Sequence, residues 1–302
     1  MGHCGQQLIL LVRSSVAPST WQSYGKSWVE WCQLINGRPV HSCCQARLEV
    51  TVEFLLLLWN SEISGSSAQQ RLSGLAFYFQ LLDWPDVTKA FIIRQALKGW
   101  KRAQPCKESR RPISFSLLHQ LVSSTPVICS LQFEAALFSA AYVILYFGAL
   151  RISELVPKSK NMPDKGLLSE DVVVVENAIR LRICRSKTDP SGRGAWILVS
   201  TVSGCPVCPV TTVLKYLEFR INGKFFLAHA DGSPLTKFQF QSVYLKGLQA
   251  SGVLPGEYGT HSFRIGVATE AAKAGLPEAE VQRIGRWRSA CYARYIRPDL
   301  LI

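Results

Sequence analysis

The sequence predicts a mainly α-helical protein in two lobes, and three observations carry that reading. Apolar residues recur at helical spacing through most of the chain, alternation replaces that period only between residues 171 and 200, and the pattern lapses between 102 and 112, where Pro, Lys and Arg collect. The expected organisation is a helical bundle over 1–103, a basic linker over 104–112, and a helical second lobe over 113–302 holding a small antiparallel three-stranded sheet. With 302 residues, 48% of them hydrophobic and 18% charged, the chain can bury two cores and is too apolar for a disordered one.

In the first lobe, Trp21, Tyr24, Trp28, Trp31, Cys32 and Ile35 share one helical face, with Thr20 as a candidate N-cap and Gly37 as a stop. Further helices are expected over 51–63, over 67–83 behind a Ser cap, and over 87–102. Short connections between them make a small bundle. The second lobe opens with helices over 114–124 and 131–150. In "DVVVVENAIRLRICRSKTDPSGRGAWILVS", turns at "ENA" and "KTDPSGRG" join three strands, and after Pro209 the helical period returns.

Lys and Arg number 34 against 21 Asp and Glu, so a polyanion such as nucleic acid is the first partner the charge points to, and a membrane surface the second. The most apolar run, "AALFSAAYVILYFGAL", is shorter than the ~20 residues a spanning helix needs and reads as a buried helix. "LILLV" at 8–12 is too short for a signal-peptide core and lacks a basic flank; Gly2 lacks the Ser or Thr that a myristoylation motif places at position six. An intracellular location, nuclear or cytoplasmic, is expected. The ten cysteines are scattered and read as reduced, and the "CPVC" of Cys205 and Cys208 lacks partners for a zinc site and reads as a turn.

Five positions in the second lobe carry cations, proton donors or a nucleophile where packed structure is expected. Arg151 follows the apolar helix directly, so its guanidinium must find an anion or acceptors; an i,i+3 surface pair with Glu154 is the plainer alternative. Lys187 sits at the tip of the second hairpin, where an ammonium is either solvated or able to reach a phosphate. In "THSFRIG", His261 and Arg264 share a face at the start of a helix that Thr260 could cap, and a helix N-terminus already favours anions. Near the end stand Tyr292 and Tyr295, either of which could be core.

Taken in order, Arg151 with Glu154 in "RISEL", Lys187, His261 and Arg264 in "HSFR", and the closing "GRWRSACYARYIR" resemble the tyrosine recombinases, or phage integrases. Trp287 and "RYIR" look most like the recombinases of DIRS-like and Crypton-like eukaryotic mobile elements. The resemblance implies a SAM-like core-binding domain for the first lobe and a catalytic domain for the second. It implies double-stranded DNA as partner, self-association on DNA as a dimer or tetramer, and neither cofactor nor metal.

The chemistry so implied is attack by the Tyr295 hydroxyl on a DNA phosphodiester, leaving a 3′-phosphotyrosine and a free 5′ hydroxyl. Arg151 and Arg264 would clamp the non-bridging oxygens. His261 is the candidate base, Lys187 would protonate the departing 5′ oxygen, and Glu154 would orient Arg151. Lys107, Arg110 and Arg111 of the linker are candidates for phosphate-backbone contact. The family places a His or Trp nine residues before the nucleophile; here that position is Arg286, and Trp287, eight before, is the residue expected to pack on the phosphate site, with Arg286 the alternative. A DNA-binding protein that has lost the chemistry, and a strand-relaxing type IB topoisomerase, are the alternatives within the same fold.

Overall fold

The computed structural model describes residues 3–104, 110–161, 166–184, 194–287 and 289–300, which divide into two compact units, 1–108 and 109–302. The first unit is a bundle of α1 (His3–Ser14), α2 (Pro18–Cys32), α3 (Cys44–Asn60), α4 (Gly65–Leu81) and α5 (Phe91–Ala103). Its core is aromatic: Trp31 is fully buried, stacks with Trp28 at 5.2 Å, meets Phe79 edge-on and donates its indole N–H to Thr51 Oγ1 at 3.1 Å. The side chain of Ser64 caps α4, so that helix begins two residues before the expected start. Pro18, not Thr20, opens α2. The stretch expected as one helix over 87–102 is a 3-10 turn at Val87–Lys89 followed by α5.

The second unit contains α6 (Phe115–Ile128), α7 (Gln132–Phe147), the single turn α8 (Ile152–Leu155), strands β1 (Val172–Val175), β2 (Ala178–Ile183) and β3 (Ala195–Ser200), then α9 (Pro209–Phe219), α10 (Lys237–Ala250), α11 (Ser262–Lys273) and α12 (Glu278–Gly285). Two short 3-10 segments, Ala290–Tyr295 and Pro298–Leu300, follow. The apolar run from the sequence is α7, buried from Leu137 to Tyr146 without interruption, as a helix enclosed by others must be. Helices α6, α9 and α11 pack around it. Among the described residues no helix is long and apolar enough to cross a membrane.

The three strands form an antiparallel sheet in the order β1-β2-β3, with Val175 paired to Ala178 across the two-residue turn at Glu176 and Asn177. Strand β2 sends Ile179, Leu181 and Ile183 into the core and Arg180 and Arg182 outward, the period-two pattern of a half-buried sheet. Cys205 and Cys208 lie in the turn before α9.

Helix α11 approaches the start of the unit closely. Ile113 donates its N–H to Ser262 O at 3.0 Å, and a Cβ on Gly266 would overlap the Ile113 carbonyl and crowd the Tyr146 ring. Gly266→Ala is therefore expected to lower stability by about 3 kcal/mol, read as a shift of the urea midpoint at unchanged slope, because backbone and not a mobile side chain blocks the new methyl.

A candidate phosphate site built on two helix ends

Helices α7 and α12 end alike. Each stops in a Schellman turn, closed at α7 by Leu150 N–H to Leu145 O (3.1 Å) and at α12 by Trp287 N–H to Gln282 O (2.9 Å). Each has a left-handed residue that is not glycine: Ala149, with φ 45°, and Arg286, with φ 55°. The Ala149 carbonyl just past α7 and the Gly285 carbonyl that ends α12 thus face one space, and a cation belongs there.

Arg264 fills it. The side chain is fully buried; Nη1 donates to Ala149 O and Nη2 to Gly285 O at 2.9 Å. The guanidinium also lies 4.9 Å from the centre of the Trp287 ring and 5.4 Å from that of Tyr295, and those two rings are 4.9 Å apart. Burial and the neighbouring Arg151 charge lower its pKa to about 10, which leaves it cationic at neutral pH. Its Nε has no hydrogen-bond partner among the described residues, and the same holds for Arg286 Nε and Trp287 Nε1.

Arg151 caps α8. Its backbone N–H donates to Glu154 Oε2 at 2.9 Å and its Nη1 to Oε1 at 2.8 Å, while Arg286 Nη2 donates to Oε2 at 2.9 Å and to Ala149 O at 3.3 Å. The surface pair weighed from the sequence is instead a buried carboxylate, with its side chain 2% exposed, shared by two guanidiniums. Burial acts to raise the Glu154 pKa, but the Arg286 charge and the Arg151 hydrogen bonds outweigh it and hold the carboxyl below its usual range. Three guanidiniums against one carboxylate leave the pocket net positive, a charge balance that an arriving anion completes.

Because the folded pKa of Glu154 is depressed, its ionised form stabilises the fold above the unfolded value of about 4.3, and that contribution is lost as pH falls through the folded value. Glu154→Gln should cost about 3 kcal/mol at pH 7. The gap between the two proteins should close as unfolding is followed from pH 7 down to pH 3.

Tyr295 ends the 3-10 segment that Ser289 caps, and Thr269 holds it in place: Thr269 Oγ1 donates to Tyr295 O at 3.4 Å and accepts from Arg297 N at 3.2 Å. Arg297 Nε in turn donates to Arg110 O at 3.0 Å. Tyr292, on the same segment, is buried in a cluster with Ala268, Ala271, Val281 and Trp287, and a hydrogen bond to Glu278 raises its pKa. Gly285 has no room for a Cβ, because the Trp287 ring folds back over it.

Solved structures share this architecture. Lambda integrase (75–356), as a dimer bound to a COC′ core site, superposes with a TM-score of 0.64 at 14% identity, over 97% of this chain and 94% of that one. The fold is that of the integrases. The Tn1549 transposon integrase in complex with circular intermediate DNA matches at 0.55, 16% identity and 83% and 80% coverage. The XerH site-specific recombinase bound to palindromic difH substrate matches at 0.57, 14% identity and 82% and 68% coverage. No family model and no curated protein sequence matches the chain.

Within this integrase fold, Arg151, Glu154, Arg264, Trp287 and Tyr295 are brought together. His261 is the N-cap of α11, one turn before Arg264 and partly buried; no side-chain bond caps that helix, so the capping role expected of Thr260 is not observed. Lys187 and Lys107 lie outside the described residues. Arg110 and Arg111 fall within the second unit, where Arg111 donates its N–H to Glu257 O (2.8 Å) and Nη1 to Glu257 Oε2 (3.2 Å). Arg286 and Trp287, left open from spacing, occupy different places: the tryptophan covers Arg264 and the arginine holds Glu154. Ala149 carried no signal in the sequence, because a left-handed alanine carbonyl is a property of backbone alone.

Proposed function

We propose that this protein is a DNA-breaking and rejoining recombinase that works through a tyrosine nucleophile. The observation that carries the reading is the placement of Tyr295 against Trp287 and beside buried Arg264, in a pocket with surplus positive charge. Arg151 and Arg264 bind the non-bridging oxygens of one phosphodiester and stabilise the charge of the five-coordinate transition state. His261, on the turn before Arg264, accepts the tyrosine proton, and Lys187 donates to the 5′ oxygen as it leaves. The products are a 3′-phosphotyrosine and a free hydroxyl, which reverses the step on another strand, so that bond energy is conserved.

The partner is double-stranded DNA. Lambda integrase has been seen as a DNA-bound dimer and as a tetramer on a Holliday junction, and the same self-association is proposed for this chain. In the first unit, α4 and α5 border a groove of about 590 Å³ whose floor includes Leu72, Ala76 and Leu97 and whose polar lining is Gln69, Ser73, Thr88, Lys89, Arg94, Lys98, Lys101 and Arg102, with no carboxylate among them. Such a surface suits a phosphate backbone, and Lys107, Arg110 and Arg111 extend the proposal to the linker. "GRW" and "RYIR" support a source among DIRS-like or Crypton-like mobile elements.

Nicked duplexes with randomised flanks, incubated with the protein and resolved under denaturing conditions, should yield a covalent protein–DNA adduct. Absence of an adduct across the library, with duplex binding intact, would leave only a DNA-binding role. Replacing Arg94, Lys98 and Lys101 together with alanine should weaken duplex binding and flatten its salt dependence, by about 0.9 in log–log slope for each phosphate that is no longer neutralised.

A further inference from the structure

Among the described residues, five that are not glycine have positive φ, and two of them, Ala149 and Arg286, belong to the second unit. They face each other through a hydrogen bond, Arg286 Nη2 to Ala149 O. Left-handed Glu62 and Asp83 also follow α3 and α4, so strain alone marks no function; what sets Ala149 and Arg286 apart is the bond between them. Gly285 stands directly before Arg286 and does not use its freedom; its missing Cβ serves to seat the Trp287 ring.

A basic residue near a helix C-terminus is ordinarily explained by the carbonyls of its own helix. Arg286 does not fit that explanation. Its side-chain bonds run to Glu154 and Ala149, more than 130 residues earlier in the chain, and not to the carbonyls of α12. Each of those acceptors also holds another arginine: Glu154 binds Arg151, and Ala149 O binds Arg264. One guanidinium therefore joins the supports of two others.

We propose that Arg286 is a positioning residue for the phosphate site: it ties the carboxylate that orients Arg151 to the carbonyl that orients Arg264, and so sets the spacing of the two guanidiniums before an anion arrives. The inference rests on reading Arg151 and Arg264 as a phosphate clamp. Three guanidiniums in one pocket repel one another, and shared acceptors keep them converged when no anion is bound. A lysine at 286 would keep the charge and one bond to Glu154 but lose the bridge.

Arg286→Gly relieves the left-handed strain but removes one of the two guanidiniums on buried Glu154, so an unfolding curve recorded beside each rate separates positioning from folding. Arg286→Lys is the conservative partner. In single-turnover cleavage of the nicked duplexes, the glycine variant should form adduct about 10- to 100-fold more slowly at saturating DNA, with half-saturation unchanged, and lysine should recover part of the rate. Adduct formation by Arg286→Gly at the wild-type rate would overturn the proposal.

A second arm needs no DNA chemistry: thermal unfolding in a titration of sodium tungstate at constant ionic strength, with Arg264→Met as the site control. Wild type should be stabilised by the oxyanion, Arg264→Met should not, and Arg286→Gly should need about tenfold more tungstate for the same shift. A wild type indifferent to tungstate, or a glycine variant with equal tungstate affinity, would contradict the positioning role even if the duplex library yields no adduct. If tungstate binds as described and no adduct forms, the recombinase reading fails while the positioning role stands.

Discussion

Arg264→Lys is expected to slow DNA cleavage by about 10²- to 10³-fold, the usual effect of removing a group that stabilises charge in the transition state. The guanidinium combines three features that an ammonium cannot. It donates from separate nitrogens to the Ala149 carbonyl just past α7 and to the Gly285 carbonyl that ends α12, it lies against both the Trp287 and Tyr295 rings, and its buried Nε has no partner among the described residues. Arg264→Met removes a buried cation whose desolvation is unfavourable but leaves two carbonyls without a donor. These effects oppose each other, and a loss of about 2 kcal/mol in stability is expected, far too little to account for abolished cleavage. The check is single-turnover adduct formation beside an unfolding curve for each variant.

That separation of effects matters because the site is also a structural joint. Arg264, Arg286 and the Glu154 carboxylate connect α7, α8, α11 and α12, so the elements that hold the candidate nucleophile are bound to the residues that would receive the phosphate. A substitution that loosens the joint changes both stability and geometry. Variants that keep volume while altering donors, such as Glu154→Gln and Arg286→Lys, are therefore more informative than alanines.

Much of the fold was legible because it follows from periodicity. A helix apolar on every side can only be enclosed, and α7 is; alternation around "ENA" can only be a hairpin with one buried face, and β1 and β2 are. Boundaries were less legible where cap candidates crowd together. "SGSS" offers serines at 64, 66 and 67, and the structure uses Ser64, while Pro18 outcompetes Thr20 by its fixed φ.

For the site, residue identity marked Arg151, Arg264 and Tyr295 as candidates, since cations and a tyrosine set among apolar residues need a reason to be there; Trp287 and the orienting role of Glu154 came from the resemblance. What spacing did not show was how they are supported. The supports are main-chain carbonyls at two helix ends and a pair of left-handed residues, and backbone groups leave no mark in a sequence unless glycine or proline imposes them. The Arg151–Glu154 pair was visible as a spacing, but its weight comes from burial, which spacing does not report.

Tyr295 is the residue proposed to join to DNA, and its neighbour Tyr292 is the competing hydroxyl. Tyr292 lies three residues earlier on the same 3-10 segment, buried in the cluster that includes Trp287 and bonded to Glu278, whereas the ring of Tyr295 meets the Arg264 guanidinium as well as Trp287. Each phenylalanine variant removes one hydroxyl and keeps its ring, Tyr292→Phe losing also the bond to Glu278, so the pair are matched controls in packing. Adduct formation on nicked duplexes, followed by protease digestion and mass spectrometry of the nucleotide-bearing peptide, decides between them. The expected result is a phosphotyrosine at position 295, no adduct from Tyr295→Phe and a normal adduct from Tyr292→Phe; an adduct that survives Tyr295→Phe, or one mapped to Tyr292, would contradict the account.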